Sequence, residues 1–182
     1  MLDQAERARL LRLARASVEA AARGESFSPD EPPTGALAQP SGVFVTLKTK
    51  DGRLRGCIGL IEPGPPLQQA VVEMARSAAL HDPRFPPVTP AEVDDLRIEI
   101  SVLSPPQPLD NVEHIVVGQH GLIVERGPYR GLLLPQVAPE WGWDRDEFLA
   151  HTCMKAGLPP DAWRDEKTRI YTFTAEVFGE EE

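Results

Sequence analysis

Residues 43–60 read VFVTLKTKDGRLRGCIGL, and the way this stretch folds back on itself decides the architecture. Apolar and polar residues alternate on both sides of Asp51-Gly52, and Asp-Gly between two alternating runs predicts a β-hairpin with a two-residue type I′ turn. Counting outward from that turn pairs Lys50 with Arg53, Lys48 with Arg55, Leu47 with Gly56, Thr46 with Cys57 and Phe44 with Gly59. Successive strand side chains point to opposite faces, so Val43, Val45, Leu47, Leu54, Ile58 and Leu60 form an apolar face for the core. Phe44, Thr46, Lys48, Arg55, Cys57 and Gly59 share the other face.

Outside the hairpin, helical and strand patterns alternate. Residues 3–23 are rich in strong helix formers, with Asp3 as N-cap and Gly24 past the end. Residues 24–41 hold four prolines and little periodicity, the mark of a surface connection or a lid. A helix is expected over about 66–80, stopped by Pro83, and a short one after Thr89, where Pro90 and Glu92 complete a capping pattern. LRIEISVL, residues 96–103, alternates as a half-buried strand. A second hairpin turns near Gly127-Pro128, a helix runs from Asp144 to Ala156 with Glu147 completing its capping box, and RIYTFTAEVF, residues 169–178, reads as one closing strand. Both hairpins carry Arg-Gly after the turn, which is either a trace of duplication or ordinary hairpin chemistry. Interleaved strands and helices with tight turns predict an α+β fold, a mainly antiparallel sheet with packed helices in one domain.

Composition sets the outer bounds. A formal charge of −9 argues against nucleic acid and anionic membrane as partners, because those surfaces need clustered Lys and Arg. No apolar run approaches the ~20 residues of a membrane span. With no leader pattern ahead of them, Cys57 and Cys153 read as reduced thiols of a cytoplasmic protein. Cys153, on the apolar side of its helix, reads as a core thiol, and Trp141, Trp143 and Trp163 as core or lobe-interface anchors. His114, His120 and His151 show no metal-like spacing, so no metal site is expected. No phosphate loop or dinucleotide fingerprint is present, and no cofactor is expected. The terminal Glu180–Glu182 run reads as a solvated tail.

The chemistry-bearing residues converge on Cys57. Arg55 and Lys48 beside it would favour thiolate over thiol, the form that attacks electrophiles or binds metals. Gly59 on the same face leaves room for a ligand or another backbone to approach, and Gly56 thins the opposite face for a crossing helix. Lys48 opposite Arg55 is a like-charge pair that calls for an acid nearby, and Glu99 is the leading candidate. The alternative reading is that Gly-Cys-x-Gly marks close packing around a buried cysteine. His81 either orients and deprotonates Cys57 or interacts with its own helix end. Arg84 either grips an anionic group or forms a salt bridge to Glu99 or Asp82.

LRGCIG at 54–59, ALHDPRF at 79–85, EISVL at 99–103, HGLIVERGPYRGLLLPQVAPEWGW at 120–143 and CMKAGL at 153–158 occur in an order that resembles the AMMECR family, including its AmmeMemoRadiSam system protein A branch. The resemblance implies two unequal lobes around an antiparallel sheet, with residues 24–41 and parts of 105–140 in the smaller lobe and the remainder in the larger. It implies association with a Memo-like protein and a radical S-adenosylmethionine (SAM) protein, and it supplies no reaction. Leu54 to Gly59 and Asp82 to Phe85 match the family motifs, with His81 where relatives often carry arginine. Two functions follow as expectations. One is an enzyme or enzyme component binding a small anionic molecule beside Cys57, with Glu99 or His81 as proton acceptor and Lys48, Arg55, Gly56, Gly59 and Arg84 lining the site. The other is a non-catalytic module docking on the Memo-like or radical SAM partner.

Overall fold

In the computed structural model, which describes residues 1–180, Asp3 caps the first helix, α1 (Gln4–Ala22). Its carboxylate accepts the Glu6 N–H (2.8 Å) while the Glu6 carboxylate accepts the Asp3 N–H (2.9 Å), and Gly24 at φ +73° ends the run. The expected hairpin follows as β1 (Val43–Thr49) and β2 (Leu54–Leu60). Its turn is one residue longer than the two-residue form. Thr49 N–H donates to Arg53 C=O (2.8 Å), Gly52 N–H donates to Thr49 C=O (2.9 Å), and Gly52 takes φ +89°. This is the three-residue loop that closes on a left-handed glycine. Lys48 therefore lies opposite Leu54, and a bulge at Arg55 then restores Leu47 opposite Gly56 and Thr46 opposite Cys57. The like-charge pair of Lys48 and Arg55 is thereby avoided. Leu54, on the loop side of the bulge, is 39% exposed and not part of the core.

β3 (Leu96–Leu103) pairs antiparallel with β1, placing Thr46 opposite Glu99 and Lys48 opposite Arg97. The apolar face of this sheet, with Val43, Val45, Leu47, Ile98 and Ile100 fully buried, packs in one core with α1 and with α2 (Leu67–Leu80). Gly56 serves as expected: a Cβ there would lie 2.3 Å from the Ala78 carbonyl oxygen of α2. The helix expected after Thr89 is a 3-10 helix, Pro90–Asp95. Residues 24–41 fall in the same unit as α1 and α2, because Gln68 of α2 donates to Glu31 C=O (3.0 Å) and Arg9 of α1 pairs with Glu31 (2.8 Å).

The chain divides into two units, one of Met1–Leu103 completed by the segment from Glu176 onward, the other of Ser104–Ala175. The second unit holds β4 (Gln107–Pro108), β5 (Gly121–Arg126), β6 (Tyr129–Leu133), α3 (Val137–Trp141), α4 (Arg145–Lys155) and β7 (Arg169–Phe173). Asp144 and Glu147 form the expected capping box, and Cys153 is fully buried with Val124 and Ala156. Trp143 and Trp163 pack against the Ile115, Leu122 and Phe148 cluster, whereas Trp141 is 71% exposed and stacks on Trp143 at 6.2 Å, so it is no core anchor.

The closing strand expected over 169–178 is two strands, β7 and β8 (Ala175–Gly179), in different sheets. One sheet has the order β2-β1-β3-β8 and the other β4-β7-β5-β6. Each sheet thus repeats a hairpin, a helix and a third strand beside the hairpin, with Arg-Gly after both turns. Gly131 plays the part of Gly56, since its Cβ would meet Ala156 N at 2.4 Å. The fourth strand of each sheet follows, in the chain, the third strand of the other. The two passages meet at Ser104 and Thr174: Ser104 N–H donates to Thr174 C=O (2.8 Å) and Thr174 N–H donates to Ser104 Oγ (2.8 Å). At the C-terminus Glu180 is no solvated tail, because it accepts from Arg15 (2.6 Å) and from Ile98 N–H (2.8 Å). Glu181 and Glu182 lie outside the described residues.

Candidate functional site

Register builds the site. Cys57 on β2, Thr46 on β1 and Glu99 on β3 form one row across the sheet, on the face away from the helices. Cys57 Sγ and Thr46 Oγ1 are 3.2 Å apart and hydrogen-bonded, and Lys48 Nζ reaches Glu99 Oε2 at 3.4 Å. Glu99 therefore offsets Lys48 as anticipated, but it does not serve Arg55.

β2 is an edge strand, and a sheet edge exposes unpaired backbone groups. At Cys57 these groups are taken by the Asp82-Pro83-Arg84-Phe85 turn. Asp82 Oδ2 accepts the Cys57 N–H (2.9 Å), and Arg84 Nη2 faces the Cys57 carbonyl at 3.5 Å. Arg84 also grips Asp82 with two donors, Nε to Oδ1 (3.0 Å) and Nη2 to Oδ2 (2.8 Å), while its own N–H donates to Oδ1 (3.0 Å). Phe85 N–H closes the turn on Asp82 C=O (3.1 Å). An acceptor and a donor from one turn thus replace a neighbouring strand at the signature cysteine. Asp82 is 4% exposed, and the Arg84 guanidinium holds its carboxyl well below the usual carboxylate range, helped by the Cys57 N–H.

Arg55 leaves this row at the bulge. Its guanidinium makes a two-pronged bond to Glu92, at 2.8 and 3.2 Å, and pulls that carboxyl down to about 2. Glu92 also accepts the Thr89 N–H (2.7 Å), so the helix-start pattern read in the sequence doubles as an anchor for Arg55. Phe85 lies beneath both arginines, 5.5 Å from Arg84 and 5.9 Å from Arg55. Arg55 Nη1 is buried without a hydrogen-bond partner.

These pairings reverse the electrostatic expectation for Cys57. Burial pushes the thiol above its ordinary value, against the Thr46 hydrogen bond and the Arg84 charge, and Asp82 and Glu99 push the same way as burial. Lys48 and Arg55, the cations expected to favour thiolate, are committed to Glu99 and Glu92. The space expected at Gly59 is filled by the Phe44 ring, whose Cγ would lie 2.4 Å from an added Cβ. Gly56 faces α2. His81 is exposed at the end of α2, and no hydrogen bond joins it to Cys57. The structure brings Cys57, Glu99, Lys48 and Arg84 to one region, sets Arg55 beside Arg84 across Phe85, and leaves His81 outside.

Sequence reasoning left Asp82 a minor part and missed Glu92 and Phe85 as site residues. The Asp-Pro-x turn signature marks Asp82 as an acceptor of nearby N–H groups, which was the available signal. Nothing local indicates that Glu92 meets Arg55. Among the described residues no group of three or more His, Cys, Asp or Glu is placed to hold a metal ion, and no helix is long and apolar enough to cross a membrane.

Comparison with known proteins places this geometry. A protein of Methanothermobacter thermautotrophicus is 54% identical over 188 residues, covering 99% of this chain and 97% of its own. Protein TK0174 of Thermococcus kodakarensis is 51% identical over 94% of this chain and 89% of its own. The crystal structure of the uncharacterized protein PH0010 from Pyrococcus horikoshii superimposes with a TM-score of 0.89 at 49% identity, covering 94% of this chain and 90% of that one. The AMMECR1 family model matches residues 11–178, and the chain belongs to that family.

Proposed function

We propose that this AMMECR1-family chain acts as a binding component, presenting the Cys57 face and its bracing turn to a protein partner, with the Memo-like and radical SAM proteins of the family association as the partners to test. One observation carries the reading: the cations Lys48, Arg55 and Arg84 are each already paired with a carboxylate of the same chain, and burial disfavours the Cys57 thiolate. A surface of matched ion pairs neither concentrates a free anion nor supplies a thiolate nucleophile. It does offer alternating charges of the kind that fix register and specificity between proteins.

Mixing the purified proteins and following association by calorimetry tests the reading. Lys48→Glu, which sets two acids against each other on the rim, is expected to weaken association about tenfold or more, and Cys57→Ala to change it less than about twofold. Absence of association with either partner overturns the proposal.

The enzyme reading keeps one specific support, the buried and unpartnered Nη1 of Arg55, a donor that a substrate oxygen would satisfy. It requires a small anion to bind the free protein and Cys57→Ala to abolish turnover.

A further inference from the structure

Among the described residues of the second unit, Trp141 is the most exposed large apolar side chain, at 71%. The local backbone sets it there. α3 ends at Trp141, and Gly142 closes the helix in the left-handed conformation, φ +70°. Gly142 N–H donates to Pro139 C=O (3.3 Å) and Trp143 N–H to Ala138 C=O (2.9 Å), so the chain reverses between the two tryptophans. Their indoles stack with centroids 6.2 Å apart and planes 15° from parallel. Trp143 in turn stacks on His151 of α4 at 3.8 Å and 3°, and it packs against the Phe148 cluster. The stack is anchored in the unit's core through Trp143 and open to solvent at Trp141.

The charges carried by the same segment select the kind of group that would cover the open indole. Residues 140–147 hold Glu140, Asp144, Asp146 and Glu147 against one cation, Arg145, and Arg145 is paired with Asp146 (3.2 Å). The Asp144 and Glu147 carboxylates accept N–H groups at the start of α4. Glu140, next to Trp141 in α3, is exposed, and its carboxylate has no hydrogen-bond or ion-pair partner among the described residues. Phosphate-bearing strands are repelled by such a segment, and a neutral ring would leave Glu140 unused. A cation is drawn to the face of an indole and to a carboxylate alike. Of the two side-chain cations, the guanidinium is the flat one: it stacks on the ring and keeps its edge N–H groups free for an acid.

We infer that Trp141 and Glu140 form a docking point for an arginine side chain in a basic segment of a protein partner. The guanidinium lies flat on the open face of Trp141 and donates to the Glu140 carboxylate. Because the indole is already ordered by Trp143 and by the Gly142 turn, binding immobilises little on this side of the contact. The docking point stands apart from the Cys57 face and does not rest on the partner reading above.

Titration of the full chain, followed by the NMR signals of the Trp141 and Trp143 indole N–H groups, tests the assignment. The probes are capped tetra-arginine, tetra-lysine and tetra-citrulline peptides and an oligothymidylate. Tetra-arginine should shift the Trp141 signal saturably and bind about threefold or more tighter than tetra-lysine, which has the same charge but no flat face. Tetra-citrulline, flat but neutral, should bind at least about tenfold more weakly than tetra-arginine. Trp141 is too exposed for its loss to unfold the unit, and in Trp141→Ala, read at Trp143, the two cationic peptides should bind alike. Glu140→Gln should weaken tetra-arginine by about threefold. Any one of four results overturns the assignment: no saturable shift up to millimolar tetra-arginine, equal binding of the arginine and lysine peptides to the parent, an arginine preference that survives Trp141→Ala, or tighter binding of the oligothymidylate, which would make Trp141 a base-stacking surface.

Discussion

At the scale of single residues, the signature motifs are held together by Asp82, which was legible only as a candidate partner of Arg84. Its burial beside Cys57 depends on how the turn folds against β2, and no local pattern reports that. The consequence is testable. In a Cys153→Ala background, alkylation of native Cys57 is expected to show a pH midpoint above the ~8.5 of a free cysteine, because burial disfavours the thiolate. A midpoint below that value would restore the activated nucleophile expected from Lys48 and Arg55. Arg84→Ala should leave the nearly buried Asp82 carboxylate without its main partner and destabilise the fold by about 3 kcal/mol, read from urea midpoints. Asp82 and Glu92 also set the acid limb of stability. Both are lowered in the fold, so their contribution is complete above their unfolded values near 4 and is lost as the pH falls, for Glu92 through about 2. The stability of Asp82→Asn should therefore fall less steeply between about pH 4 and 2 than that of the parent. An unchanged slope would mean that Asp82 is not held low.

At the scale of elements, the hairpin was legible because alternation reports the parity of a strand. It was misread near the turn because two one-residue departures cancel. The longer loop moves the pairing by one position and the bulge at Arg55 moves it back, so every pair from Leu47–Gly56 outward matches a two-residue turn. No residue away from the turn records the difference, yet it decides that Arg55 meets Glu92 and not the space opposite Lys48. Gly56 was legible for a different reason: a glycine on the core face of a strand beside a helix invites close approach. Gly59, on the opposite face, read as open space beside Cys57, and there the neighbour is the Phe44 ring. The element-scale prediction concerns the two Arg-Gly pairs. Gly56→Ala forces β2 away from Ala78 and Gly131→Ala forces β6 away from Ala156, and each should cost about 2 kcal/mol or more. Gly64, with no atom within 4 Å of an added Cβ, is the control, and Gly64→Ala should stay within about 0.5 kcal/mol of the parent. Equal effects at all three positions would remove close helix packing as the reason for the repeated glycine.

At the scale of the whole molecule, the α+β class was legible, but the exchange of fourth strands was not. RIYTFTAEVF alternates without a glycine or proline at Thr174, and alternation cannot say which sheet a strand joins. The physical reason that β8 belongs with the first unit lies far away in sequence, on α1. Glu176 pairs with Arg7 and Glu180 with Arg15, both at 2.6 Å. Eight residues of helix rise about 12 Å and four residues of strand about 13 Å, so the two acids match the two arginines. Arg15 further donates to Val93 and Leu96 carbonyls (2.8 Å each), and Phe178 between the two acids is 9% exposed in the core. A chain ending at Thr174 loses both ion pairs, the Phe178 side chain and the outer partner of β3. Its first unit should be destabilised by at least about 3 kcal/mol, with lost hydrogen-exchange protection at Ile98 and neighbouring β3 amides. β5 and β7, whose ladder lies entirely before the cut, should keep their protection. Loss of protection in both sheets together would show instead that the two units unfold as one, and unchanged protection at Ile98 would show that β8 does not hold the first sheet.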